Sequence, residues 1–355
     1  MMNDDDNSTM LRDSVARALG DVVSPRGTVE AERDGIDRAA WSQLRHLGLL
    51  DDEAAELPLP ELAAILDEIG YAGALVPYAD SVLLAGWLAR GAGFDRGDES
   101  LLSLASLPAA ALEPGSGAAG GAASLRRQRV AWGRHVRDVL LIFASEQRHW
   151  VARVPAAALG LTPGSNLAGE PLDPCSADRI AFDAASVREL DPEHDPWALR
   201  LRGAFCRTAA MLGSARRVQE LTLQYALDRK QFGKSLSQFQ TIQSHLAEMA
   251  GEVAAAGAML ESVLSAAASP KGLLGAAPEL AAVKVRVGMA AHRLTALAHQ
   301  IHGAIGFTQE HSLHLYTRRL WAWREEYGNA AEWSQWLGNE MASLGSYGFW
   351  QRITR

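Results

Sequence analysis

Cysteine is almost missing from this chain: Cys175 and Cys206 are the only two among 355 residues. They form no CxxC pair, which argues against a disulfide framework or a structural zinc site and points to a reducing compartment. A basic excess is also lacking, since 34 Lys and Arg face 42 Asp and Glu for a net charge of -8. That balance argues against a nucleic-acid partner, whose phosphates require a cationic surface. No apolar run reaches the ~18 residues that a bilayer span needs. The acidic start, Met1 to Ser8, has neither a basic n-region nor an apolar h-region, so no secretory signal is read. A cytoplasmic protein without a membrane span is expected. Gly115 to Gly121 is rich in glycine, but no Gly-Lys-Ser/Thr follows it, so it reads as a flexible linker rather than a phosphate loop.

What is present is ample apolar sequence, 48% of the chain, with 21% charged residues, enough for a sizeable core. Three parts separate by pattern. Residues 1–100 read as an N-terminal helical domain, with Trp41, Leu44 and Leu47 on one face, Leu62, Ile65 and Ile69 on another, and a further helix from Ser81 to Ala89. Residues 101–190 read as a thin β domain: Val139 to Phe143 and His149 to Val154 form a hairpin, and Arg179 to Phe182 a short strand. Residues 191–345 return to helix. Phe205 to Tyr225, Phe239 to about Ala268, and Leu280 to Ile301 carry apolar stripes at steps of three and four. A fourth segment, Leu313 to Leu337, closes an antiparallel four-helix bundle, and residues 346–355 are left as a tail.

Between the first two bundle helices lies Tyr225-Ala-Leu-Asp-Arg-Lys-Gln-Phe-Gly-Lys234, followed by Phe239-Gln240. Further on comes Gln300-Ile-His-Gly-Ala-Ile-Gly-Phe307, with Glu310 and Arg318 after it. In these two ordered blocks the sequence resembles the acyl-CoA dehydrogenase family. The resemblance implies a mainly α fold with an N-terminal helical domain, a β-barrel middle domain (here reduced) and a C-terminal four-helix bundle. It implies FAD as cofactor, an acyl-CoA substrate, assembly as a dimer or tetramer, and α,β-dehydrogenation in lipid or fatty acid catabolism. Carried over by position, Arg229 meets the FAD pyrophosphate, Phe232 packs on the cofactor, Gln240 lies near its adenine end, and Gln300 with the Gly303 backbone contacts the nucleotide. In relatives these residues reach across an interface to FAD held by a neighbour.

The family base does not carry over. In most relatives it is a Glu nine residues after the position of Arg318, and Tyr327 stands there. A phenol with a reference pKa near 10 is a poor α-proton acceptor at neutral pH. Glu325 and Glu326 flank it, but one helical step rotates a side chain by ~100°. The alternative base position falls on Gly203. The expected function is therefore that of an oxidoreductase subunit lacking its own base, sharing FAD with a second acyl-CoA dehydrogenase-like subunit. Three alternatives stay open: a self-sufficient dehydrogenase using Glu325 or Glu326, a related flavin monooxygenase or oxidase, and a structural partner without flavin. His299, His302, His311 and His314 lack a carboxylate-rich metal pattern, so no metal is expected. Trp321, Trp323, Trp333 and Trp336 are read as packing residues, chiefly at an interface.

Overall fold

A computed structural model describes residues 4–95 and 101–353. The expected boundary at residue 100 falls within 96–100, outside the described residues. Helices α1 (Asp4–Gly20), α2 (Pro25–Asp34), α3 (Arg38–His46) and α4 (Leu59–Ala72) come first, then a π-helix (Tyr78–Gly86) and α5 (Trp87–Gly91). Strands β1 (Leu102–Ser106), β2 (Gly120–Ala131), β3 (Asp138–Ser145), β4 (Arg148–Pro155), β5 (Leu172–Asp183) and β6 (Val187–Glu189) follow. The long α6 (Pro196–Asp228) leads to a hairpin of β7 (Lys230–Gln231) and β8 (Lys234–Ser235). The chain ends in α7 (Gln240–Ala267), α8 (Gly272–Gly275), α9 (Ala277–His302), α10 (Leu313–Trp323), α11 (Ala330–Ser343) and α12 (Gly345–Ile353).

Two compact units result. One comprises residues 14–58 and 74–203. Its helices start where the sequence supplies caps. The Ser24 side chain accepts from the Gly27 N–H at 3.1 Å, with Pro25 in the first turn, and Asp37 accepts from the Ala40 N–H at 2.9 Å. The strands form a sheet in the order β1-β3-β4-β6, with β1 parallel to β3, and a separate antiparallel pair of β2 and β5. The β3–β4 hairpin forms as its alternation predicts, with Leu141 opposite Ala152 and Phe143 opposite Trp150. Val139, Leu141, Phe143, Val154 and Trp132 lie in one buried apolar cluster. Trp132 sits at φ 57° and donates its indole N–H to the Asp80 carboxylate of the π-helix at 3.1 Å.

The sequence expectations need three corrections. Gly115 to Gly121 is not a linker: Gly117 and Gly120 exchange backbone hydrogen bonds in a tight turn, and β2 begins there. A Cβ at Gly120, whose φ is 98°, would lie 2.5 Å from the Phe182 carbonyl, so the glycine serves close strand pairing. The β domain is also fuller than expected, because β1, β2 and β6 lack the alternation that exposes a strand in sequence. The expected helix from Ser81 to Ala89 is a buried π-helix over Tyr78–Gly86 that passes into α5.

The second unit comprises residues 4–13, 59–73 and 204–353. Here α9 packs against α7, α10 and α11, and the stripe Leu280, Val283, Val287, Leu294 and Ile301 is buried as its spacing predicts. Helices α4 and α6 meet backbone to backbone. A Cβ on Gly213 would lie 1.8 Å from the Asp67 carbonyl oxygen, and one on Gly70 would lie 2.0 Å from that of Ala210. Beside this seam the buried carboxylates Asp67 and Glu68 pair with Arg216 and Arg12. The fourth bundle segment is not one helix: it breaks between Trp323 and Ala330, with Tyr327 at φ 54° and Gly328 at φ 98°. Asn329 restarts the chain as the cap of α11, accepting from the Glu332 N–H at 3.0 Å. Trp323 and Trp333 are buried within this unit, so those two are core rather than interface residues.

Candidate functional site

The two motif blocks are brought together by Tyr225 near the end of α6. Its hydroxyl donates to the His302 carbonyl at 3.3 Å, and its ring stacks on the His302 imidazole with centroids 4.4 Å apart. His302 is buried at the end of α9, its Nδ1 is 2.8 Å from the Ala298 carbonyl, and the His311 ring meets it edge-on at 4.6 Å. Burial, with smaller contributions from the neighbouring imidazoles, lowers its pKa to about 4, so His302 is neutral at ordinary pH. His299 and His311 are also lowered, chiefly by burial. In the sequence these rings are weighed only as metal ligands. The structure makes them the packing that holds the motif's backbone, and no group of three or more possible metal ligands forms among the described residues.

Around this aromatic seam lie the expected cofactor residues. Arg229 follows α6, its N–H donating to the Tyr225 carbonyl at 2.9 Å and its carbonyl accepting from Leu236 at 2.8 Å. Its side chain is exposed, with no carboxylate partner among the described residues. Phe232 occupies the tip of the β7–β8 hairpin at φ 53°, followed by Gly233 at φ 79°. Two successive left-handed residues make the turn that suits strand twist, but a bulky aromatic in that conformation is strained. The ring is 93% exposed. Strain and solvent exposure together are costs that folding alone does not explain. Gln240 opens α7 and is exposed; Gln300, one turn from the end of α9, is exposed as well. Gly303 ends α9 at φ 63° and ψ -144°, backbone that essentially only glycine adopts. An uncompensated guanidinium, an uncovered aromatic and a bare glycine backbone fit a bound dinucleotide: a fork for phosphate, an apolar wall, and close main-chain approach.

The break between α10 and α11 holds the residues considered as a base. Glu325 is exposed and pairs with the adjacent Arg324 at 2.8 Å. Glu326 instead pairs with Arg207 of α6, Oε2 to Nε at 2.6 Å. The Tyr327 carbonyl accepts from the Trp333 indole at 3.1 Å, which fixes the left-handed turn. Lys284, buried in the apolar stripe of α9, donates to the carbonyls of Trp323 and Arg324 at 2.9 and 3.3 Å, capping the end of α10. Burial is the main cause that lowers its pKa to about 7, opposed by the charge of Glu326. Arg207 and Lys284 were missed in the sequence; the only signal for Lys284 is a lysine standing inside an apolar stripe.

Residues 201–329 match the acyl-CoA dehydrogenase C-terminal domain. The chain has the acyl-CoA dehydrogenase fold, and by that domain and its relatives it is an oxidoreductase of the acyl-CoA dehydrogenase type. It is 28% identical over 325 residues to the acyl-CoA dehydrogenase IpdE2 of Mycobacterium tuberculosis, covering 87% of this chain and 89% of that protein. Its fold is similar to a chain of the ChsE4–ChsE5 complex from Mycobacterium tuberculosis, with a TM-score of 0.82 at 23% identity, covering 94% of this chain and 97% of that one. A chain of the Tcur3481–Tcur3483 steroid ACAD gives a TM-score of 0.80 at 22% identity, with 95% and 98% covered. No helix among the described residues is long and apolar enough to cross a membrane.

Proposed function

We infer that this chain takes part in FAD-dependent α,β-dehydrogenation of an acyl-CoA thioester as the subunit of a heteromer that does not bring the base. The observation that carries the reading is the turn at 324–329, where a phenol stands at the expected base position. Of the two nearby carboxylates, Glu326 is held by Arg207 and Glu325 by Arg324. A carboxylate in an ion pair with a buried guanidinium gains more from staying charged than from taking a substrate proton. Arg229, Phe232, Gln240, Gln300 and Gly303 all stand exposed on the same unit. They would hold the phosphates, ring system and nucleotide end of an FAD whose remaining contacts come from a second acyl-CoA dehydrogenase-like subunit. The flavin, when bound, would accept the β-hydride. The residues of this chain orient it, and the proton acceptor comes from the partner. One of the most similar solved structures is itself a complex of two differently named chains, ChsE4 and ChsE5.

The test is to purify the chain alone and after co-expression with an acyl-CoA dehydrogenase-like chain that carries the catalytic Glu, then measure bound flavin and acyl-CoA oxidation. The expected result is flavin and turnover only in the co-purified complex. Stoichiometric FAD and turnover in the isolated chain would overturn the reading, in favour of a self-sufficient enzyme.

A further inference from the structure

Lys284 stands in the apolar stripe of α9 between Leu280 and Val287 and is 1% exposed. Its Nζ donates to the Trp323 carbonyl at 2.9 Å and to the Arg324 carbonyl at 3.3 Å. These carbonyls end α10, and the chain breaks just after them, with Tyr327 at φ 54° and Gly328 at φ 98°. Lys284 therefore pins the near side of the break to α9. The Trp333 indole pins the far side through the Tyr327 carbonyl at 3.1 Å. The charges that act on Nζ are Glu326, Arg207 and Glu325. Glu326 is held by Arg207 at 2.6 Å and Glu325 by Arg324 at 2.8 Å. Of the other elements packed on α9, α7 brings Glu248 and Glu252, paired with Arg293 and Arg286. Helix α10 brings Arg318 and Arg319, the latter buried and donating to the Leu315 carbonyl at 2.7 Å, and α11 opens with Glu332. Lys284 itself has no ion-pair partner among the described residues.

An ammonium buried without a carboxylate of its own is costly, and it relieves that cost by losing its proton or by reaching water. Burial accordingly brings the pKa of Lys284 down from 10.5 to about 7, against the pull of Glu326. The neutral amine has two N–H groups, one for each carbonyl, and needs no counter-ion. We propose that Lys284 is an acid-released latch on the turn between α10 and α11. As a neutral amine it holds the turn closed on α9; a proton taken up at Nζ favours an opened turn, in which the ammonium leaves both carbonyls for water. In that opened turn the lysine regains its ordinary pKa, so between about 7 and 10.5 the open state holds one proton more. The closed turn is then favoured by up to about tenfold more for each unit rise in pH, and is least favoured at and below pH 7. The latch lies within one chain and needs neither flavin nor partner. It bears on function because the turn carries Tyr327, the position at which the family resemblance places the base.

Hydrogen–deuterium exchange of the full chain at about pH 7 to 9 reads the latch, with each rate divided by that of an unstructured peptide at the same pH. Peptides within α10, the turn and the start of α11 should become more protected as pH rises, by up to about tenfold per unit. Those of β3 and β4 should not change. Lys284→Met, an apolar side chain of similar length, should remove the dependence. Trace acetylation of the wild type gives a second reading that needs no variant. Relative to the exposed Lys271, label on Lys284 should fall by up to about tenfold per pH unit over the same range, because only the opened turn presents its amine. Turn protection that ignores pH overturns the proposal, as does a constant labelling ratio or an unchanged slope in Lys284→Met. The same slope in peptides from the middle of α9 overturns it too, because the whole unit would then be opening rather than the turn.

Discussion

Replacing Glu326 by glutamine decides whether this carboxylate is a strut or a base. The substitution keeps shape and removes charge, leaving Arg207 and Lys284 facing each other without an anion between them. Removing one partner of a buried ion pair costs about 3–5 kcal/mol. Glu326 retains 27% of its side-chain exposure and Arg207 7%, so solvent screening brings the expected loss to about 2–3 kcal/mol. Lys284 adds a pH signature. Its folded pKa of about 7 lies below the ordinary 10.5, so the unfolded chain binds the extra proton between those values. Stability from this group therefore rises with pH through that window, by at most about 1.4 kcal/mol per pH unit, and is lost as pH falls through 7. Without Glu326 the lysine releases its proton more easily, and the rise begins at lower pH. Urea midpoints of wild type and Glu326→Gln from pH 6 to 9, with turnover of the assembled complex measured in parallel, read both effects. A variant within about 0.5 kcal/mol of wild type that nevertheless abolishes turnover would refute the strut and identify Glu326 as the base.

Other perturbations give equally distinct outcomes. His302, with a folded pKa near 4 against 6.5, confers stability that is complete above 6.5 and lost as pH falls towards 4; from pH 7 to 5 the loss is about 2 kcal/mol. His299 and His311 add to it, and His302→Phe should shrink the slope of the urea midpoint with pH. Phe232→Gly should stabilise the isolated chain by up to about 1 kcal/mol, because it relieves a left-handed aromatic that touches little. The same variant should weaken flavin retention by the complex, seen as earlier flavin release on heating. Gly213→Ala should cost at least about 2–3 kcal/mol, since its new Cβ would press into the Asp67 carbonyl. Chemical denaturation of that variant checks it, with Gly251→Ala, inside α7 where a Cβ meets nothing within 4 Å, as the control expected to gain up to about 1 kcal/mol.

The bundle helices were legible because a buried face writes its period into the sequence. Phe205 to Tyr225 and Leu280 to Ile301 place apolar side chains at the spacing that a packed helix needs. The break in the fourth segment was not, because α10 and α11 follow each other in phase and read as one stripe. The only sequence mark is Gly328-Asn329, a left-handed stop and a helix cap in succession. Expectations placed Glu325 and Glu326 on a continuous helix; the turn instead sends one to Arg324 and the other to Arg207. Gly120 was taken for slack because a glycine required by close strand pairing looks the same in sequence as one in a loose linker. The paired role of Arg207 was beyond reading, since its partner lies 119 positions away.

The exposed tip of the β7–β8 hairpin has a consequence for how the protein is made. In the proposed heteromer, a subunit whose Phe232 is strained and uncovered would gain from its partner by mass action, and its apparent stability would depend on how much partner is present. Copies synthesised in excess keep that ring in water together with Phe307, 72% exposed on the neighbouring motif. If the proposed heteromer forms, matched production of its two chains serves solubility as well as catalysis. An imbalance should show as turnover of the surplus chain before any loss of enzyme is felt.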